Sequence, residues 1–210
     1  MKIGILGSGM IGGTLARICH RVGHEIAISN SRGPASLSAL VQEMGSGVHA
    51  ATVEEAARFG EIAVVAVPLK AYSSLPAAAL AGRIVVDAMN YYPERDGHIA
   101  ELDSGAATSS ELVARILPGS RVVKAFNTIY FRHLDAEGDT SKPLTERRAI
   151  FVAGDDAEAK RQVAKLIEEL GFGAVDTGSL RDGGRRQQPG TPVYNRQITT
   201  AEAQEYLARA

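Results

Sequence analysis

The feature that most constrains how this chain folds is a glycine-rich turn close to its first residue. The turn spans residues 7–12, with the sequence GSGMIG, and it follows the apolar segment Lys2–Leu6. A G-x-G-x-x-G pattern between a strand and a helix is typical of dinucleotide-binding folds, which hold the pyrophosphate at the helix N-terminus. In this pattern Gly7 permits the turn, Gly9 lets the pyrophosphate approach the backbone, and Gly12 lets helix and strand pack closely. We therefore expect a dinucleotide at this turn.

Predicted strands alternate with predicted helices along the remaining chain. Besides Lys2–Leu6, the segments that predict strands are Glu25–Ser29, Val48–Ala50, Ile62–Val67, Arg83–Asp87, Arg121–Lys124 and Ala149–Ala153. Ile62–Val67 is apolar throughout, as expected for a central strand that is covered on both faces. We predict an α/β fold: a Rossmann-type, doubly wound and mainly parallel sheet with a small C-terminal extension.

Capping signals mark the starts of several predicted helices. Thr52, Thr108 and Thr199 each stand three residues before a glutamate, which is the spacing of a capping box. Asp155 is expected to cap a further helix, because apolar side chains recur at helical spacing from Val163 to Leu170.

The chain beyond residue 127 reads differently from the chain before it. Residues 127–148 show no clear periodicity and predict a long polar loop with room for a short helix. We expect residues 1–127 to form the dinucleotide-binding core. Residues 128–210 are expected to continue the same α/β domain and to complete the site of a second ligand.

The end of the second predicted strand bears on the choice of dinucleotide. An NAD-binding site usually places Asp or Glu there to bind the ribose 2′-hydroxyl, whereas this chain reads Ser29-Asn30-Ser31-Arg32. The Ser31 hydroxyl and the Arg32 guanidinium, with Asn30 beside them, are suited to a 2′-phosphate. The sequence therefore favours NADP(H) over NAD(H), and the alternative for Arg32 is a solvated loop side chain.

Three further strand ends are expected to face the same crevice as the glycine turn. They are Ala66-Val67-Pro68, Asp87-Ala88-Met89-Asn90 and Lys124-Ala125-Phe126-Asn127. Ala125 offers the small side chain that a flat nicotinamide ring needs, and the Asn127 amide is able to bond its carboxamide or ribose. Plain loop structure is the alternative for Asn90 and Asn127. His133 is a candidate proton donor at the mouth of the site, although a lone histidine is more often structural.

Composition argues against several classes of partner. The chain has 23 Lys and Arg against 24 Asp and Glu, so no overall charge attracts nucleic acid or an anionic membrane. The longest apolar run, Ile62–Leu69, is far shorter than the roughly 20 residues of a membrane-spanning helix. The single cysteine, Cys19, indicates packing in a reducing compartment. With no signal-peptide pattern at Met1, we expect a cytoplasmic protein without a metal, nucleic-acid or membrane partner.

A local excess of positive charge lies towards the C-terminus. Arg181, Arg185, Arg186 and Arg196 fall close in sequence to two glutamines and Tyr194. We interpret this arginine cluster as a candidate contact for the acidic tail of a ligand. An ordinary solvated surface is an equally good interpretation.

Five segments carry a resemblance to a known family: GILGSGMIGGTLA, SNSRGP, VVDAMNYYPERDG, LPGSRVVKAFNTI and QPGTPVYN. Over most of its length the chain resembles the coenzyme F420-dependent NADP oxidoreductases and their bacterial relatives, and the last three segments are the more specific. Cytochrome-linked metalloreductases share a segment similar to VVKAFNT. The resemblance implies hydride transfer between NADPH and the deazaflavin ring of F420, with the protein mainly orienting the two rings.

The resemblance also implies how the residues divide between parts of the ligands. It puts the phosphates on Ser8, Gly9, Met10 and Ile11, the 2′-phosphate on Ser31 and Arg32, and the nicotinamide near Pro68, Ala125 and Asn127. The arginine cluster would meet the acidic tail of the deazaflavin. The polar segment His133–Arg147 departs from the family pattern and leaves the acceptor open, a flavin included.

These observations combine into one predicted function and two alternatives. We predict an NADP(H)-dependent oxidoreductase, a homodimer, that passes a hydride to a deazaflavin or flavin-like small molecule. One alternative is a reductase of a small imine or 2-keto substrate, which would need a longer helical C-terminal domain. The other is a non-catalytic NADP(H)-binding sensor, which the sequence leaves open.

Overall fold

The computed structural model describes residues 1–209, and all eight strands found there belong to one sheet. The strands are β1 (Lys2–Leu6), β2 (Glu25–Ser29), β3 (Val48–Ala50), β4 (Ile62–Val65), β5 (Ile84–Asp87), β6 (Arg121–Lys124), β7 (Ala149–Gly154) and β8 (Gly173–Gly178). The α-helices are α1 (Met10–Arg21), α2 (Ser38–Met44), α3 (Val53–Phe59), α4 (Ala77–Leu80), α5 (Pro93–Asp96), α6 (Ala100–Asp103), α7 (Ser109–Ile116), α8 (Phe131–Ala136), α9 (Ala157–Glu169), α10 (Asp182–Arg186) and α11 (Thr200–Arg209). Short 3-10 helices cover Pro34–Leu37, Leu69–Ser74 and Leu144–Glu146.

The order of the strands places the crevice of the fold. The sheet runs β3-β2-β1-β4-β5-β6-β7-β8, and the strands β1 to β6 are all parallel to one another. After β3 the chain crosses to the opposite side of β1, so the loops that follow β1 and β4 diverge at the carboxyl ends of the strands. The predicted Rossmann-type, doubly wound and mainly parallel sheet is confirmed.

The strand β7 breaks the parallel pattern. Only its last two residues pair with β6, antiparallel, through Val123↔Gly154 and Lys124↔Ala153, while β8 pairs parallel to β7 along its length. The rest of β7 therefore extends beyond the carboxyl end of β6 and, with β8, forms a wall beside the crevice. The sequence analysis missed β8 because its segment, GAVDTG, begins and ends with glycine and buries only alternate side chains.

Two large apolar cores cover the two faces of the sheet, and a third, smaller cluster joins β7 and β8 to α11. Along β1, Ile3 and Ile5 face one core, which also contains side chains of α1 and α9, and Leu6 faces the other. Cys19 lies fully buried in the first core, as predicted, and this burial raises the pKa of its thiol to about 12. Within residues 1–209 no helix combines the length and the apolar character needed to cross a membrane.

Helix capping follows the predictions with one exception. The boxes at Thr52 and Thr108 are complete, and at Thr199 the threonine and the glutamate of the box exchange the same hydrogen bonds. The prediction of Asp155 as a cap is wrong. Its neighbour Asp156 caps α9 by accepting from the Ala159 N–H at 2.7 Å, because that aspartate stands at the last non-helical residue.

The predicted long loop at residues 127–148 is partly helical. It contains α8 and the 3-10 helix Leu144–Glu146, each too short for an apolar repeat to appear in the sequence.

Asp155, which does not cap α9, instead accepts a hydrogen bond from the Leu180 N–H at 3.0 Å. That bond ties the start of α9 to the chain after β8.

Candidate active site

A crevice opens at the carboxyl ends of β1, β4, β5 and β6, between the glycine turn and the segment that precedes α11. It encloses about 380 Å³, within the range of small-molecule sites. The predicted site residues that line it are Gly9, Met10, Ile11, Ala66, Val67, Pro68, Asn90 and Asn127. The structure therefore brings together residues from four separate strand ends.

The glycine turn combines close packing with open space. A Cβ on Gly7, whose φ is +113°, would overlap the Ala66 carbonyl oxygen, and a Cβ on Gly12 would overlap the Gly7 carbonyl oxygen. A Cβ on Gly9 would meet nothing within 4 Å. Helix α1 begins after Gly9 without a side-chain cap or an acidic residue in its first turn. Its first N–H groups are consequently available to an anion in the open space.

The loop after β2 is organised by Asn30. The Asn30 amide donates to the Ser8 hydroxyl at 3.1 Å, and its Oδ1 accepts from the Arg32 backbone N–H at 2.9 Å. Ser31 and Arg32 are exposed, and the Arg32 guanidinium has no hydrogen bond or ion pair with any residue between 1 and 209. Asn30 thus connects the glycine turn to a free cation, the arrangement expected around a 2′-phosphate.

Asn90 and Asn127 interlock across the floor of the crevice. The Asn127 Nδ2 donates to Asn90 Oδ1 at 3.1 Å, and the Asn90 Nδ2 donates to the Asn127 backbone carbonyl at 2.9 Å. The Asn127 Nδ2 also donates to the backbone carbonyl of Gln187 at 2.8 Å. Because backbone carbonyls only accept, these bonds fix the orientation of both side-chain amides.

This orientation leaves one buried acceptor without a donor. The Asn127 side chain is 3% exposed, and its Oδ1 has no hydrogen-bond partner within the described part of the chain. An unpartnered buried polar atom costs about 1–3 kcal/mol, so a ligand that brings a donor to this point recovers that free energy. The nearby Thr128 and Gln187 also have a buried oxygen without a partner among residues 1–209, but of the three only Asn127 lines the crevice, so the structure supports Asn127 as a ligand contact.

A buried ion pair supports this floor from below. Lys124 Nζ lies 3.2 Å from Asp87 Oδ2 and donates to the Met89 carbonyl at 2.5 Å, while Asp87 Oδ1 accepts from the Met89 N–H at 2.9 Å. Ser110 donates to Asp87 Oδ2 at 2.6 Å. Both charged side chains are at most 1% exposed. The pair thus fixes Met89, the residue that leads into Asn90.

Backbone strain is concentrated at the same place. Phe126 and Asn195 are the non-glycine residues with a positive φ among residues 1–209, at 62° and 53°. Both contribute to the crevice, and the Asn195 N–H donates to the carbonyl of Thr128 at 3.0 Å. A bulky residue such as Phe126 rarely adopts this conformation, and such strain clusters at functional sites.

Two tyrosines and an arginine that the sequence analysis did not select line the far end of the crevice. The hydroxyls of Tyr92 and Tyr194 are hydrogen-bonded to each other. The Arg95 guanidinium lies 4.9 Å from the centre of the Tyr92 ring, and it donates to the Asn90 carbonyl at 2.7 Å. Both tyrosines stand in segments that carry the family resemblance, which was the only signal available in the sequence.

Comparison with known proteins identifies the family. The family model described as "NADP oxidoreductase coenzyme F420-dependent" matches residues 2–91. A solved protein from Arthrobacter sp. FB24, provisionally described as an F420-dependent NADP reductase, is 30% identical, with 86% of each chain covered and a TM-score of 0.73. The chain belongs to the coenzyme F420-dependent NADP oxidoreductase family. The family predicted from the sequence is thereby confirmed.

Two curated relatives differ in how much of their length this chain covers. The F420-dependent NADP reductase of Methanothermobacter marburgensis is 29% identical over 197 residues, which is 87% of this chain and 86% of the relative. Rattus norvegicus metalloreductase STEAP3 is 34% identical over 181 residues, which is 85% of this chain and 34% of the relative. The chain thus spans about a third of the length of the metalloreductase.

The crevice of this family member fits NADP(H) on two structural observations. Open space lies in front of Gly9 at the start of α1, where a pyrophosphate needs close access to the backbone. The unpartnered Asn127 Oδ1 needs a donor, and the carboxamide of a nicotinamide has one. No cluster of His, Cys, Asp and Glu suited to a metal ion occurs among residues 1–209.

Several predicted residues lie elsewhere than the sequence analysis expected. Ser8 lines a neighbouring groove, and Gly7 and Gly12 lie beneath the turn rather than in the crevice. Ala125 is fully buried, so it supports the floor without lining it. His133 does not line the crevice, because α8 directs it towards Glu137, whose Oε1 lies 3.6 Å from its Nδ1.

The predicted arginine cluster also lies away from the crevice. Arg185 and Arg186 border a separate groove against α11, and the Arg196 guanidinium lies 5.9 Å from the centre of the Tyr206 ring. None of the four arginines lines the crevice. The arginine that does line it is Arg95. Contact between that cluster and an acceptor tail in the crevice stays a prediction that this geometry does not favour.

Proposed function

We propose that this oxidoreductase transfers a hydride between NADPH and a deazaflavin, coenzyme F420, or a flavin-like acceptor bound in the same crevice. The observation that carries the proposal is the unpartnered Asn127 Oδ1, buried in a crevice that begins at a dinucleotide-type glycine turn. A purely structural crevice would gain nothing from an orphaned acceptor on its floor. The name of the Methanothermobacter relative, which covers nearly the same length, supports F420 as the acceptor.

Each part of the chain has a task in this function. The first N–H groups of α1 and the Ser8 hydroxyl would hold the phosphates, and Ser31 with Arg32 would hold the 2′-phosphate. Asn127 would orient the nicotinamide through its carboxamide. When bound, NADPH supplies the hydride, so the protein needs chiefly to hold donor and acceptor in line and to keep water out. Residues 1–127 would then serve chiefly NADP(H), and residues 128–210 would complete the acceptor side together with the crevice wall at Tyr92.

The deciding experiment is anaerobic spectrophotometry of the purified protein with NADPH or NADH. Oxidised F420, FMN, FAD and riboflavin are offered in turn, and bleaching of their visible bands is followed. We expect NADPH to bleach the F420 band, with a flavin as the next best acceptor and NADH much slower. Tight NADPH binding without reduction of any acceptor would contradict the proposal and favour the NADP(H)-binding sensor.

Metal-ion reduction is a second candidate function, because the identity to the rat metalloreductase is 34%. A ferric chelate added alone and then together with a catalytic amount of FMN distinguishes the two. Reduction that needs the flavin supports hydride transfer to a flavin as the primary step. Equally fast reduction without any flavin would favour direct use of the metal ion.

A further inference from the structure

The far end of the crevice presents a hydroxyl pair for which hydride transfer alone has no use. Tyr92 follows β5 and Tyr194 precedes α11, and the two half-buried phenols meet across 102 residues of sequence. The two tyrosines come from segments whose resemblance to the family assigns them no task. Two apolar rings would join these segments equally well. Packing alone therefore does not explain why both side chains carry a hydroxyl.

The hydrogen bonds around the pair allow one donor to stay free. Asn90 Nδ2 donates to the Tyr194 oxygen at 3.4 Å, and either hydroxyl is able to donate to the other; the arrangement on which the inference rests has Tyr194 donating to Tyr92. The Tyr92 hydroxyl then accepts one bond and still owns a hydrogen, and it has no second partner in the described chain. That unshared O–H group stands in the wall of the crevice, where an acceptor would lie.

Two charged side chains lie next to Tyr92. The Arg95 guanidinium lies over the Tyr92 ring, 4.9 Å from the ring centre. The nearby Asp96 carboxylate, which accepts from the Tyr92 backbone N–H, is neutralised by Arg95 at 2.8 Å. Burial, and then the bond to Tyr92, raise the pKa of Tyr194. Tyr194 therefore stays protonated and is able to pass a proton on.

We propose that Tyr92 is the proton donor of the reduction and that Tyr194 returns a proton to it, an inference that rests on the proposed function. The acceptor gains the two electrons and the hydrogen of the hydride at its central ring, on carbon in a deazaflavin and on nitrogen in a flavin. A second ring nitrogen or oxygen bonds the Tyr92 proton as the phenolic O–H bond breaks. The phenolate recovers its proton from solvent through Tyr194. This chemistry implies an acceptor that takes up both a hydride and a proton, as deazaflavins and flavins do.

The first test measures binding rather than turnover. Tyr92→Phe removes the free O–H group, so the affinity of the NADP⁺-bound protein for oxidised F420 should fall about ten-fold, the loss expected for one hydrogen bond. NADPH affinity should stay unchanged, and the melting temperature should fall by about the few degrees that loss of the Tyr92–Tyr194 hydrogen bond costs. Tyr206→Phe is the matched control, because Tyr206 also carries an arginine over its ring but lies outside the crevice. Equal F420 affinities in the two variants would overturn the proposal.

The second test follows reduction by stopped flow under anaerobic conditions. Tyr92→Phe should slow reduction by about 10²-fold, the usual contribution of a positioned proton donor, and Tyr194→Phe should slow it less. Imidazole buffer at constant pH and ionic strength should restore part of the rate in Tyr92→Phe alone, which a merely structural role does not predict. A Tyr92→Phe rate within two-fold of wild type overturns the inference. A wild type that reduces no acceptor overturns the proposed function itself.

Discussion

The two ends of the crevice are built by opposite means. At the dinucleotide end the site is formed by the absence of side chains: Gly9 leaves open space at the start of α1, and no side chain caps the first N–H groups of that helix. The other end, where the nicotinamide would meet the acceptor and which we call the acceptor end, is rich in side chains: Asn90, Tyr92 and Asn127 are held by hydrogen bonds to distant segments. The first end is encoded within a few consecutive residues. The second exists only when the sheet is complete.

This difference predicts how substitutions at each end should affect stability and ligand binding. A backbone cradle tolerates exchanges around it as long as no atom enters it, whereas a side-chain network depends on every buried partner. Stability and binding should therefore separate at the dinucleotide end and remain coupled at the acceptor end. Three sets of variants put this contrast to the test.

The largest effect is expected from the ion pair under the acceptor end. Lys124→Met leaves Asp87 as an unpaired buried carboxylate and should lower the free energy of unfolding by about 3–5 kcal/mol. Lys160→Met breaks an ion pair with Asp176 whose partners are 18% and 58% exposed, and should cost at most about 1 kcal/mol. Urea denaturation measures both. Similar losses in the two variants would show that the floor does not depend on buried charge.

The glycine turn should separate folding from binding. Gly12→Ala forces a methyl group against the Gly7 carbonyl and should lower the free energy of unfolding by about 3 kcal/mol. Gly9→Ala should leave folding unchanged within about 0.5 kcal/mol but weaken NADPH binding roughly ten-fold or more, because its methyl group occupies the phosphate space. Thermal melting and fluorescence titration provide the two readouts. Unchanged NADPH affinity in Gly9→Ala would show that the pyrophosphate does not bind at this turn.

The smallest effect is expected at the exposed cation. Arg32→Ala should weaken NADPH binding by about 1.5–3 kcal/mol and leave NADH binding and stability unaffected, because its guanidinium has no partner within residues 1–209 to lose. Titration of both dinucleotides against wild type and variant gives the comparison. Equal losses for NADPH and NADH would place the 2′-phosphate elsewhere.

The same contrast explains how far the sequence analysis reached. The glycine turn, the Asn30 loop and six parallel strands were predictable because each is a local pattern with a fixed spacing. Tyr92, Tyr194 and Arg95 were missed because their meeting depends on β7 and on a pairing across 102 residues. Lys124 was predicted only as a strand residue, since a fully buried lysine is rare and no local pattern marks its partner.

The short antiparallel join between β6 and β7 has a consequence for slow motions. Four residue pairs join β5 to β6, but only two join β6 to β7. The ladder is thinnest between the six parallel strands and the β7–β8 wall, so partial opening should start there and carry the wall away as a unit. In amide hydrogen exchange, β7 and β8 should accordingly exchange earlier than β1 and β4. Tyr194 and Asn195, which follow β8 along the chain, line the crevice. A bound acceptor that contacts them should slow that exchange, which makes occupancy visible at amides far from the ligand.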